Sequence, residues 1–502
     1  MEKIIDIHSH MFNLKYLPVA GIIRRYSNNK IPHKIATGIE WLLLKGIDES
    51  ISIKHQKMIE NIDLIKFNVP VKKVEINNYL IEEIIDYDPD DTVNAMVSLA
   101  DNTDLLIGEL SDAIDEFEKR YSDVLNINRS INLDSISNMN SEEMVESIEI
   151  RAQSLKRMLS WIVEKFKELA NYMKWFLFMR NSEEDIYNHI SVIDENGVEK
   201  YVFLMMDVDH FFNEEDSLKY KSRYDYENDQ ISKMQHLISN HDSLIGFVAF
   251  NPERNNYMEI IEDAIDFKGF KGVKFYPPMG YNAGCDEKYE KQIDTLLEYC
   301  SKNKIPLFTH CNNKGFEAYP KNNSGYMSNP KYWEKALEKY NDLILCLGHG
   351  GGSEGWFCKN SDRDKIKAAE ISSYTTKDSS IEQSENWNNS YAALVFKLCV
   401  EYDNVYCDTS YLDDMINSDG SFEEELKENF NKRLLKLFNS EPRFRKKIMY
   451  GSDWHMLFKE GKNKVYLNLY KDFFNDTDLK IYKEDFFYNN AIDYLRLNEI
   501  LI

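Results

Sequence analysis

Apolar positions at Ile4, Ile5 and Ile7 lead into a polar run, His8-Ser9-His10. A short, apolar, β-branched run predicts a buried strand. Further along, the period changes. Leu99, Thr103, Leu106, Leu110, Ile114, Phe117 and Tyr121 recur at three- and four-residue steps, and so do Ile148, Leu155, Leu159, Ile162, Phe166, Leu169, Met173 and Phe176. Neither glycine nor proline occurs from Glu109 through Asn196. That spacing gives one apolar stripe per helix, so residues 31–195 read as a helical insertion; ordinary core-packing helices with no part in chemistry are the simpler account of either stripe.

From Glu199 onward the pattern becomes strand, loop, helix, repeated. Strands are expected at Tyr201–Met206, Leu244–Phe250, Gly272–Phe275, Ile305–Thr309, Leu343–Leu347, Val405–Cys407 and Lys447–Tyr450. Helices are expected between them, for example at Tyr257–Phe267, Lys288–Lys302, Lys331–Tyr340, Tyr391–Tyr402 and Phe422–Phe438. With Lys3–Ile7 this makes eight strands. Strands alternating with helices imply parallel βαβ units, and eight of them suggest an α/β fold of the (β/α)₈ TIM-like barrel kind. The expected organisation is a first barrel strand and loop over 1–30, the insertion over 31–195, and the rest of the barrel over 196–502.

Composition narrows the classes. A formal charge of −24, from 85 acidic and 61 basic residues, argues against a nucleic-acid partner. The longest strongly apolar runs, such as Met173–Met179, are too short to span a bilayer. Seven cysteines with no C-x-x-C pair, and a strand-like beginning in place of a signal region, make a reducing cytoplasm the simplest expected location.

The chemistry falls at the expected strand ends, where barrel enzymes collect their catalytic groups. At i and i+2 on a strand, His8 and His10 point the same way, and two neutral imidazoles on a stiff element are good ligands for Zn²⁺ or a similar ion. The alternative is an N-terminal strand with two exposed histidines. Asp207, Asp209 and His210 follow strand two, where they bind substrate or form a polar rim. Lys274 lies near the end of strand four, His310 ends strand five, His349 strand six, Asp408 strand seven, and Asp453 with His455 strand eight. Asp453 could instead cap the segment that follows it, and Asp408 either orients a ligand or caps a turn. His455 reads as a pocket residue. The glycine-rich Gly348–Gly355 lacks the Lys-Ser/Thr of a phosphate loop, so it reads as room for backbone beside His349.

The order H-x-H on strand one, Lys274 in G-V-K-F-Y-P-P, His310 in L-F-T-H, His349 in L-G-H-G-G and Asp453 in Y-G-S-D-W resembles the amidohydrolase superfamily, in its amidohydrolase-related, decarboxylase-like branch. The resemblance covers strand one and about 199–500, and leaves out the insertion. It implies that His8, His10, His310 and Asp453 hold one divalent metal. Such a ligand set leaves room for a water whose pKa falls toward ~7. Asp453 would move the proton, and His349 would hold the water or polarise the substrate oxygen. Zinc is the first expectation; manganese, iron or cobalt suit the same ligands. Lys274 would either bind a substrate anion as an ammonium or, carbamylated, bridge a second metal. Asp207, His210 and His455 are further substrate-contact candidates.

The resulting expectation is a metal-dependent hydrolase opening a C–N or C–O bond of a small molecule of amide, ester or lactone type. Non-oxidative decarboxylation of a carboxylated ring or enoic acid is the runner-up. A partner-binding or regulatory protein on a hydrolase scaffold is the reading from another class. The insertion, leaving the barrel after strand one, is expected to cap the pocket or to meet a partner. A homodimer is only the base-rate expectation.

Overall fold

A computed structural model of the protein describes residues 3–26, 178–193, 197–208, 226–284, 288–312, 324–357, 390–417 and 419–498, with residues 40, 175 and 315. Two compact units are present, Met1–Tyr26 with Glu183–Ile502, and Ser27–Ser182. Most of the insertion expected at 31–195 lies outside the described residues. The helix Glu183–Ile193 falls within the first unit.

That unit is built on eight parallel strands in sequential order. They are β1 (Ile4–Ser9), β2 (Val198–Leu204), β3 (Leu244–Ala249), β4 (Gly272–Phe275), β5 (Leu307–His310), β6 (Leu345–Gly348), β7 (Val405–Asp408) and β8 (Ile448–Met449). Sequential parallel order needs a crossover after each strand. Helices at Tyr257–Phe267, Glu290–Asn303, Tyr391–Glu401 and Glu424–Ser440 supply several of them. The last strand is joined back to the first. Ile7 N donates to Tyr450 O at 3.2 Å, and Asp453 N donates to His8 O at 2.8 Å. These two bonds all but close the (β/α)₈ barrel.

Alternation along each strand fills the barrel. Ile5, Ile7, Val202, Leu204, Ile245, Phe247, Phe308, Cys346, Tyr406 and Met449 form one buried cluster, drawn from one face of the sheet. Ala491, Tyr494 and Leu495 from the helix Asn490–Leu495 complete it, and Tyr494 OH donates to Leu307 O at 3.1 Å. With one end of the interior packed by this C-terminal helix, polar side chains gather where the strands finish.

β1 departs from plain alternation. Its register against β2 shifts between Asp6 and Ser9, so Ile7 and His8, consecutive in sequence, both serve the interior. Ile7 joins the apolar cluster, and the His8 ring lies edge-on to Phe308 at 4.8 Å. Such irregularities re-aim side chains beside functional sites.

Candidate metal centre

At the strand ends the imidazoles form an arc. Ring centroids run from His310 to His349 at 4.6 Å, from His349 to His8 at 4.7 Å, from His8 to His10 at 5.3 Å, and from His10 to His455 at 4.8 Å. His8, His10, His310, His349 and Asp453 are all buried. Burial pushes the His349 imidazole down to about 4, helped by neighbouring His8, and holds His10 well below the usual imidazole range, helped by His455. Both rings are therefore neutral near pH 7, the form that ligates metals.

The hydrogen bonds fix which nitrogen faces inward. His10 Nδ1 donates to Leu204 O at 2.7 Å, leaving Nε2 with its lone pair. His8 Nδ1 meets Asp408 Oδ2 at 3.0 Å, with Ser410 Oγ 2.7 Å away. His349 Nδ1 faces Ser410 O at 3.1 Å, and its Nε2 lies 3.1 Å from His310 Nδ1. Locking one ring nitrogen to an acceptor frees the other for an ion.

Asp453 sits at the turn after β8 with a left-handed backbone, φ 54°. It occupies the position before the helix Trp454–Glu460, yet its side chain makes no capping bond. Instead Oδ1 faces His455 Nδ1 at 2.9 Å and His10 Nε2 at 3.8 Å. Burial alone would raise its carboxyl, but the neighbouring imidazoles of His455, His8 and His10 pull it well below the ordinary range. It is a carboxylate at neutral pH.

Among the described residues two donor sets lie close enough together to hold a metal ion, His8 with His349 and Asp453, and His10 with Asp453 and His455. His310, expected among the ligands, stands beside His349 and belongs to neither set. Lys274 is buried, and its Nζ has no hydrogen-bond partner among the described residues. It lies over the Phe308 ring at 4.4 Å, and burial lowers it to about 8. Asp207 is held in a two-pronged pair with Arg254, which occupies both of its oxygens. Asp209 and His210 lie outside the described residues. Asp6 and Ser410 escaped the sequence reading. Asp6 accepts from His8 N at 3.0 Å and Ser452 N at 2.9 Å, tying β1 to the turn that carries Asp453.

Residues 198–365 match the family model described as amidohydrolase. The match ties one part of the barrel, from β2 to β6, to amidohydrolases. The matched segment contains Lys274, His310 and His349; His8, His10, Asp408, Asp453 and His455 lie outside it and join them at the strand ends through barrel closure. Curated proteins give no match. Similar solved structures include an uncharacterised TIM-barrel protein from Bordetella bronchiseptica, 13% identical, covering 66% of this chain and 85% of that one at a TM-score of 0.37. Another is a zinc-bound amidohydrolase from Burkholderia multivorans, 8% identical, with coverage of 62% and 87% and a TM-score of 0.39. A third is 5-carboxyvanillate decarboxylase from Sphingomonas paucimobilis, 12% identical, with coverage of 62% and 82% and a TM-score of 0.35. Among the described residues no helix is long and apolar enough to cross a membrane.

Proposed function

We propose that the protein is a metal-dependent hydrolase opening a C–N or C–O bond of a small-molecule amide, ester or lactone. One observation carries this reading: buried imidazoles from β1 and the β6 end converge with the Asp453 carboxylate on spacing that suits a divalent ion. The donor set of nitrogen and carboxylate oxygen suits zinc first, and manganese, iron or cobalt as well. When bound, such an ion supplies a Lewis acid and acidifies water. His8, His349 and Asp453 would hold it, which gives His349 a ligand's role beyond the polarising one expected from sequence. His310, 3.1 Å from His349 Nε2, then faces substrate, because the lone pair of that nitrogen goes to the ion.

The rest of the work falls to the chain's own groups. Asp453, a carboxylate at neutral pH, would accept a proton from the attacking water and give it to the leaving group as the bond opens. Lys274 offers a buried cation to the oxyanion that develops. The test is metal analysis of the purified protein beside His8→Ala/His10→Ala, with a turnover screen of amides, esters and lactones. Bound divalent ion that the double substitution removes, together with hydrolysis, supports the reading; wild type that takes up neither zinc nor manganese overturns it.

The same lysine favours a second reading. A desolvated ammonium is a strong anchor for a substrate carboxylate, as decarboxylation of a carboxylated ring or enoic acid would require. Release of carbon dioxide without net uptake of water distinguishes that reaction.

A further inference from the structure

Among the described residues five non-glycine residues hold a left-handed backbone, a conformation that side chains with a Cβ rarely adopt. Lys304 and Arg496 close helices, where it is routine. His349, φ 61°, and Asp453, φ 54°, are metal-donor candidates. Tyr411, φ 56°, is neither a helix end nor a donor. Strain of this kind lasts only where the surroundings hold it, and it gathers at functional sites.

Tyr411 meets both ends of the element that Asp453 begins. At the start, Tyr411 N donates to Ser452 O at 3.3 Å. That carbonyl belongs to the peptide leading into Asp453, and the N–H of the same peptide donates to His8 O at 2.8 Å. The peptide is thus gripped from the end of β7 on one side and from β1 on the other. At the far end, the Tyr411 hydroxyl donates to Glu460 Oε1, on the last residue of the helix Trp454–Glu460. A second brace follows two residues on, where Lys462 Nζ donates to Asp413 Oδ2 at 2.5 Å. Burial, then Glu460, with Asp413 and Asp453 adding, pushes the Tyr411 phenol well above its ordinary value, so the hydroxyl stays a donor at neutral pH.

A helix of seven residues is only about 10 Å long, so a tilt at its far end also turns its first residue. We infer that Tyr411 is a positioning residue, whose hydroxyl bond to Glu460 sets the tilt of the helix and thereby aims the Asp453 carboxylate at the ion. The inference rests on the metal-dependent reading above and adds to it two residues, Tyr411 and Glu460, that act through Asp453. The left-handed turn at Tyr411 persists because it is held from both ends of the helix at once.

The deciding experiment is the visible absorption of Co²⁺ bound to the chelator-stripped full chain, which reports the ligand geometry around the ion. It is paired with kcat and KM for an ester, amide or lactone that the screen identifies. Tyr411→Phe keeps the ring and the main-chain bond and removes only the hydroxyl. It is expected to bind Co²⁺ with an altered absorption band and to lose about 10–10²-fold in kcat at little change in KM. Glu460→Ala should give the same changes, and serves if Tyr411→Phe does not fold. The double variant should do no more than either single one, since all three remove one bond. Glu460→Gln, whose amide oxygen can accept the same hydrogen, should keep the wild-type band. An unchanged band in both single variants would overturn the inference while leaving the proposed function standing, and so would effects that add up in the double variant. Wild type that binds no Co²⁺ would overturn both.

Discussion

His8 Nδ1 and Asp408 Oδ2 meet at 3.0 Å, joining the first barrel strand to the seventh at the level of the candidate metal donors. Asp408 is fully buried, and its other oxygen accepts from His349 N at 2.7 Å, Ser410 N at 3.0 Å and Ser410 Oγ at 2.8 Å. Burial would raise this carboxyl, but His8, with His349 and the Ser410 hydroxyl, holds it low. One carboxylate thus sets the tautomer of His8 and the backbone position of His349. Asp408→Asn tests this without changing shape. The amide oxygen can keep the three Oδ1 bonds, but its NH₂ faces His8 Nδ1 and favours the tautomer with the proton on Nε2, where an ion must bind. Zinc affinity, measured by chelator competition, is expected to fall about 10–100-fold, with the thermal midpoint of the stripped protein little changed. Unchanged affinity would show that Asp408 does not govern the tautomer.

Lys274 is a buried cation, and its burial costs stability. Its folded pKa of about 8 lies below the ordinary lysine value of 10.5 because burial penalises the charge. A lowered folded pKa means that the penalty is present in full below about pH 8 and fades as pH rises toward 10.5. Lys274→Met should therefore stabilise the stripped protein by about 1–3 kcal/mol at pH 7, and by progressively less toward pH 10. Turnover should fall by about 10²-fold or more if the ammonium holds the developing oxyanion. Urea unfolding at the two pH values, with kinetics on a substrate from the screen, checks both halves.

The barrel was legible because its strands are short β-branched or apolar runs at regular intervals. β4 occupies Gly272–Phe275 as expected, and the ends of the others differ by a few residues. The polar strand ends were legible for the same reason, since alternation places Lys274, His310 and Asp408 on the face that Phe308 and Tyr406 also serve. What stayed hidden depends on closure. Ser410 acts on His8 across 402 residues of sequence, and Asp6 on Ser452 across 446; no local pattern announces such pairs. Nor does the pattern of β1 reveal the register shift that turns His8 inward beside Ile7. The pairing of Asp207 with Arg254 was equally unreadable, because an acidic strand end looks the same whether it faces substrate or a guanidinium.

Gly451 is where closure and chemistry touch. A Cβ there would stand 3.0 Å from His8 Cβ and 3.2 Å from both Asp408 Oδ2 and Ser410 Cβ. These neighbours are held by their own hydrogen bonds and can yield only by moving the ligand ring. Gly451→Ala should cost about 1–3 kcal/mol and weaken zinc binding as well. Gly461 provides the contrast: nothing lies within 4 Å of its Cβ position, but its φ is 76°. Gly461→Ala should cost about 1 kcal/mol through the backbone alone and leave zinc affinity unchanged. Parallel unfolding and competition titrations of the two variants separate crowding at the site from backbone strain.

His189 gives the barrel unit an acid limb away from the metal donors. It packs edge-on to Phe458 at 6.0 Å, and burial, with Lys464 adding, lowers it to about 4. The unfolded chain protonates this histidine near pH 6.5 while the folded chain does not until about 4. The stability it allows is thus complete above about pH 6.5 and is lost as pH falls through that window. Between pH 7.5 and pH 5.0 wild type should lose about 1–2 kcal/mol more than His189→Leu, which has nothing to protonate there. Urea unfolding at both pH values measures the difference, and because both proteins share every other titrating group, those contributions cancel. Equal losses would mean that the folded protein admits the imidazolium, and that acid sensitivity arises elsewhere, with the histidines around Asp453 the next group to examine.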